Sequence, residues 1–181
     1  MLCHSGFVAV DETALIVTVP EADPLVAVHR RRFDSGAIRG VPAHVTVLYP
    51  FMPVTTIDDD VLDDLRRLFA TRLPFGVRFA VTRWLGERVV TLAPEPEHPF
   101  RDLTTAVADR WPDYPPYEGA FDDVVPHLTL GDFGDTDQLR IAVDEVVTGL
   151  PIETEVFEVA LWRGNNGVDS WRPVTSFPLG G

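Results

Sequence analysis

Two short stretches of the chain repeat one pattern: His44-Val45-Thr46-Val47 and His127-Leu128-Thr129-Leu130. An imidazole changes charge near neutral pH, so it can give or take a proton. A threonine hydroxyl can donate to a phosphate oxygen. Cleaving a phosphodiester requires a proton to leave the attacking oxygen and another to reach the leaving oxygen. It also requires donors for the charge that builds on the non-bridging oxygens. Two His-Thr pairs supply all of these groups.

Given the chain's own threonine and apolar content, a histidine has roughly a 2% chance of an apolar-Thr-apolar follower. Two hits among five histidines arise by chance roughly a few times in a thousand, so the pair carries weight that one copy would not. On a strand, residues i and i+2 share a face about 7 Å apart, a span that fits a phosphate. His44 with Thr46, and His127 with Thr129, should each face a cleft, while Val45, Val47, Leu128 and Leu130 enter the core.

The elements that must position these residues follow from periodicity and punctuation. Strands are predicted over Thr13–Val19, Ala43–Leu48, Val77–Thr82, Arg88–Leu92, Val124–Leu130, Thr154–Arg163 and Trp171–Phe177. Helices are predicted over Pro24–Phe33, from an N-cap at Thr56 to about residue 72, over Phe100–Trp111, and from Asp135, with Gln138 as capping-box partner. Gly164-Asn165-Asn166-Gly167 turns the last two strands. If Arg88–Leu92 opens a second copy, strand-helix-strand-helix-strands occurs twice. The fold class is α+β: a single domain over residues 1–181, two similar lobes, each an antiparallel-rich sheet with helices packed outside.

Other residues invite plainer readings. His44, His127 and a carboxylate would make a zinc site only with a closely spaced second ligand, and neither histidine has one; no metal and no cofactor are expected. Cys3 is read as an incidental thiol. Asp58–Asp64 reads as a solvated helix start. Arg30, Arg31 and Arg32 finish a helix and meet solvent, or form a basic lip for phosphate. Tyr49, Phe51, Tyr117, Phe133 and Trp162 are core candidates, of which one or two would stack on a base at the cleft mouth. His4, His29 and His98 lack a hydroxyl partner and are read as surface residues.

The net charge is −13, from 28 acidic and 15 basic residues, and every basic residue is arginine. Such a surface disfavours an extended polyanion and points to a small nucleotide or one RNA end. The absence of lysine rules out Schiff-base chemistry and, with the acidic balance, disfavours a nucleotidyl-lysine ligase. No run is long enough to span a membrane, and acidic residues precede the short apolar run at 14–19, so a cytoplasmic protein is expected.

The motifs and their surroundings resemble the two-histidine phosphoesterase superfamily, which includes 2′-5′ RNA ligase-like proteins and RNA 2′,3′-cyclic phosphodiesterases. The resemblance rests on HVTVLYPF at 44–51, YPPYEGAFDDVVPHLTLG through the second motif and a closing strand ending SFPL, and it covers nearly the whole chain. It implies a bilobal, pseudo-symmetric fold with a cleft between two antiparallel sheets. His44 and His127 would be catalytic, His44 as acid and His127 as base, with Thr46 and Thr129 binding the phosphate. The expected function is a cyclic phosphodiesterase working as a monomer on an RNA end or small cyclic nucleotide. A non-catalytic nucleotide- or RNA-end-binding module and a reversible 2′-5′ RNA ligase are the alternatives.

Overall fold

A computed structural model describes residues 11–121 and 123–180; Cys3 and His4 lie outside them. Eight strands form one sheet, with every neighbouring pair antiparallel. They are β1 (Glu12–Thr18), β2 (His44–Leu48), β3 (Phe75–Leu85), β4 (Val89–Glu95), β5 (Leu128–Gly131), β6 (Ile152–Val156), β7 (Glu158–Gly164) and β8 (Arg172–Pro178). The helices are α1 (Asp23–Phe33), α2 (Ser35–Ile38), α3 (Asp59–Ala70), α4 (His98–Arg110) and α5 (Thr136–Val147).

The sheet order is β6-β3-β4-β5-β2-β1-β7-β8. It therefore consists of two four-stranded halves, β6-β3-β4-β5 and β2-β1-β7-β8, which meet at the β2–β5 seam through one register pair, Val45 opposite Leu128. The two expected lobes are present as these halves. Each chain half nevertheless sends a strand across: β3 follows α3 but pairs with β4 and β6, whereas β7 pairs with β1. A single residue, Phe157, separates β6 from β7, although six steps of the sheet order lie between them. The sheet must curl until its edges approach.

One face of the sheet is apolar and carries the helices. Val45, Val47, Leu128 and Leu130 are all at most 1% exposed there, beside Val26, Phe33, Phe100, Leu103 and Val107 from α1 and α4. The bracing crosses between halves. The carbonyl of Phe33, at the end of α1, accepts from the amides of Asp132 and Phe133 just past β5 (2.7 and 3.2 Å). Thr104 of α4 donates its hydroxyl to the Val47 carbonyl of β2 (2.7 Å). Each histidine strand is thus held by a helix from the other half of the sequence.

Several predicted boundaries move. The α3 N-cap is Asp58, which accepts from the Val61 amide (2.9 Å), while Thr56 closes a 3-10 turn. Asp135 does cap α5, by accepting from the Asp137 amide (2.9 Å), but among the described residues Gln138 makes no return bond. The predicted strand Thr154–Arg163 is two strands broken at Phe157. The strand predicted from Val124 begins only at Leu128, because Pro126 offers no amide to a ladder.

Gly131 marks where α1 presses on β5. A Cβ there would meet the Leu139 side chain at 2.7 Å and the Phe33 Cβ at 2.9 Å. Gly131→Ala should destabilise the fold by about 1–3 kcal/mol through overpacking. Gly76→Ala, where nothing lies within 4 Å, should be neutral or stabilising by up to about 1 kcal/mol. Urea midpoints of the two variants check this; equal midpoints would show that α1 does not bear on β5.

Candidate active site

The seam sets the site. Continuing the Val45–Leu128 antiparallel register by one residue each way sets His44 opposite Thr129 and Thr46 opposite His127. Opposed residues in an antiparallel pair share a face, about 4.5–5.5 Å apart at Cα. The face alternates with that of Val45 and Leu128, so all four predicted residues look away from the helix-covered core. The burial pattern agrees: His44, Thr46, His127 and Thr129 are half-buried between fully buried neighbours. The two histidines occupy a diagonal of this square, about 7–8 Å apart at Cα. They are close enough that charge on His127 depresses the pKa of His44.

The rings are held alike. His44 Nδ1 lies 2.8 Å from the Pro42 carbonyl, and His127 Nδ1 lies 2.7 Å from the Val125 carbonyl. A carbonyl can only accept, so each Nδ1 carries a proton and donates it. That leaves each Nε2 as the atom that can exchange a proton with a ligand.

Both imidazoles favour the neutral form. Burial pushes His44 down to about 4, helped by the Arg30 guanidinium, against the upward pull of the Pro42 carbonyl. Burial also lowers His127; the Val125 carbonyl opposes this, Arg83 adds to it and Asp34 opposes it weakly. Arg30 is 3% exposed. It donates through Nε to Asp34 (2.8 Å) and through a terminal nitrogen to the Val41 carbonyl (3.3 Å), one residue before the carbonyl that holds His44. The residue after Asp34, Ser35, donates its amide (2.9 Å) and its hydroxyl to Asp132 beyond β5. Burial raises the Asp34 pKa despite its Arg30 partner.

A cavity opens on each side of the seam. The one beside His44 and Thr46 holds about 120 Å3, is lined by Tyr49, Trp162 and Trp171 over Ala14 and Ile16, and has Arg39 at its edge. The one beside His127 holds about 530 Å3 and is lined by Leu85, Val89, Tyr117, Phe121 and Val125. Tyr49 donates to Glu12, and burial together with that carboxylate pushes its phenol up to about 12, so it remains a donor. Among the described residues Arg39 makes no ion pair.

Some sequence readings change. Arg31 and Arg32 do not behave alike with Arg30: Arg30 is buried against Asp34 and does not meet solvent or form a lip, whereas Arg32 is exposed. His29 is 6% exposed, with Nε2 3.4 Å from Glu145, and is not a surface residue; His98 is exposed as expected. Phe51 is core and Phe133 is 40% exposed, while Tyr49, Trp162 and Tyr117 line the cavities. Sequence reasoning missed Arg39, Trp171 and Phe121. It also missed the Arg30–Asp34 pair, for which the i,i+4 spacing at a helix end was the available signal. Among the described residues no group of His, Cys, Asp and Glu is placed to hold a metal ion, and no helix is long and apolar enough to cross a membrane.

Residues 18–168 match the family model of the 2′-5′ RNA ligase superfamily. No curated protein matches the chain significantly in sequence. Among solved structures, the chain is similar to E. coli LigT complexed with 3′-AMP, at 16% identity and TM-score 0.61, over 95% of this chain and 99% of that one. It is similar to TT0787 of Thermus thermophilus, at 20% identity and TM-score 0.61, over 94% and 98%. It is also similar to a protein described only as a phosphoesterase, at 19% identity and TM-score 0.58, over 95% and 99%. At these identities the structural likenesses establish the shared fold.

The lowered pKa of His44 has a consequence for stability. Unfolded, it takes up a proton near pH 6.5; folded, it does so at about 4. Between these values the unfolded state binds more protons, so its share of the unfolding free energy shrinks as pH falls through that window. His44→Gln should remove this share of the slope in urea titrations run from pH 7 to 4. An unchanged slope would show that His44 is not held neutral by burial.

Proposed function

The chain belongs to the 2′-5′ RNA ligase superfamily, and from that premise we propose that it is a metal-independent phosphoesterase acting on 2′,3′-cyclic phosphate RNA ends or small cyclic nucleotides. The observation that carries the reading is the square of two histidines and two threonines on one face of the β2–β5 seam, set by the Val45–Leu128 register. Structures of E. coli LigT with 3′-AMP and with ATP support a nucleotide as the ligand.

In this reading the phosphodiester lies between the two Nε2 atoms. One neutral histidine takes a proton from water as it attacks phosphorus. The other, protonated, delivers a proton to the ribose oxygen whose bond to phosphorus breaks. Thr46 and Thr129 donate to the non-bridging oxygens as charge gathers there. The resemblance gives the acid role to His44 and the base role to His127; ligation would run the same steps in reverse. A non-catalytic binding module would not need two titrating groups.

The electrostatics add a condition. With both histidines shifted toward the neutral form, the free protein lacks the proton that the acid must deliver. A bound phosphate anion supplies the opposite charge that raises an imidazole pKa. Substrate binding should therefore be coupled to proton uptake. Calorimetry with inorganic phosphate near pH 7, in buffers of different ionisation enthalpy, should show net uptake of a proton; buffer-independent heats would contradict this.

The direct test is a panel of 2′,3′-cyclic nucleotides and cyclic-ended oligonucleotides, assayed with EDTA present. Turnover should persist in EDTA. His44→Ala and His127→Ala should each lower kcat by about 10²–10⁴, with the double variant little worse than either single one. Thr46→Ala and Thr129→Ala should cost about 10–10³. Near wild-type rates in a folded histidine variant would favour the binding module, and loss of activity in EDTA restored by a divalent ion would defeat the metal-free mechanism.

A further inference from the structure

We propose that Tyr117 is a third hydroxyl of the phosphate site, delivered to the histidine square by a strained left-handed loop. The inference rests on the phosphoesterase reading and names a residue beyond the two motifs. Tyr117 lies in the loop that precedes the second motif, in the 3-10 turn Pro116–Gly119. Its side chain lines the cavity beside His127, and Thr46, the residue opposite His127 in the seam register, is near enough for its hydroxyl to act on the phenol. Tyr117 thus belongs to the cavity that His127 lines and acts on a hydroxyl that lines the other.

The backbone there is held in an unfavourable form. Tyr117, Glu118 and Gly119 have φ of +49°, +54° and +75°. Two of the three non-glycine residues with positive φ among the described residues are these neighbours. Side chains in this region are disfavoured, and such conformations persist where the surroundings impose them. Here the restraints are explicit. The Tyr117 amide donates to the Tyr49 carbonyl just after β2 (2.6 Å), the Glu118 amide to the Pro115 carbonyl (3.1 Å), and the Ala120 amide to the carbonyl of Tyr117 itself (2.9 Å). The ring meets Phe121 edge-on at 5.5 Å. The loop is thereby fastened to the strand that carries His44 and Thr46.

Burial raises the Tyr117 pKa, and the Thr46 hydroxyl opposes this only in part. The phenol thus stays protonated and remains a donor over the working pH range. A phosphodiester offers two non-bridging oxygens, each able to accept more than one bond. Two threonines do not exhaust them, and a third donor beside Thr46 fits the charge that grows in the transition state.

Tyr117→Phe keeps the ring against Phe121 and removes only the O–H. The probe is inorganic phosphate, titrated by calorimetry, with thermal melts recorded alongside and cyclic-nucleotide kinetics measured separately. The expected result is about 10-fold weaker phosphate binding with an unchanged melting temperature, and a fall in kcat/KM at least as large. A second probe places 3-fluorotyrosine at position 117. Its fluorine resonance should shift on phosphate addition in wild type but not in Thr46→Ala/Thr129→Ala. Phosphate binding within two-fold of wild type in Tyr117→Phe, or a fluorine resonance indifferent to phosphate, overturns the inference. So does weakened binding accompanied by a large drop in melting temperature, because that marks a structural residue. Absence of cyclic-phosphate turnover in the wild type, with Tyr117-dependent phosphate binding intact, would instead defeat the hydrolase reading and leave the phosphate contact standing.

Discussion

The pairing of Val45 with Leu128 is the constraint on which the site depends. Side chains alternate along a strand, so burying these two residues completely compels their neighbours to face the other way. Slipping either strand by one residue would put histidine and threonine into the apolar face and valine or leucine into the cleft. The cost of that exchange fixes the register. The arrangement of the two histidines and two threonines is thus held by hydrophobic burial on the opposite side of the sheet.

The crossed bracing explains why so short a seam suffices. One register pair joins the half-sheets, yet α1 closes on the end of β5 and α4 is bonded to β2. The exchange of β3 and β7, and the single-residue step at Phe157, tie the halves covalently as well. Moving one half relative to the other would disturb the packing of α1 and α4 together with the seam. The distance between His44 and His127 is therefore set by the whole core.

The grouping of the candidate site residues was legible in the sequence because its signal is local. A period-two motif shows on its face which residues point together, and four residues chosen that way do share one face. The two lobes were legible from the repeated order of elements. What was hidden depends on contacts distant in sequence. Thr154–Arg163 reads as one β-rich run because Phe157 is as good a strand former as its neighbours; only the pairing of β6 with β3 and of β7 with β1 breaks it. Arg30 and His29 looked like a solvated helix end, but Asp34 and Glu145 offer them partners that allow burial. The smaller cavity needs Trp171 and Arg39, which reach it from a loop and from the end of α2, with no motif spacing to mark them.

Charge brings the site and the surface together. A chain of net charge −13 repels anions at a distance, and screening confines that repulsion to about 8–10 Å at ordinary salt. Within that range three arginines bear on the seam residues. Arg30 and Arg83 act on the two histidines, and Arg39 edges the cavity beside His44. Arg30 and Arg83, ion-paired with Asp34 and Glu97, help to keep protons off the imidazoles, which leaves Arg39, without an ion pair among the described residues, as the cation that lines a cavity beside the seam. In the proposed mechanism the charge of an arriving anion offsets the field of these arginines and lets one histidine hold the proton that the acid delivers. On that proposal, burial and arginine charge make the protonated pair a property of the occupied cleft.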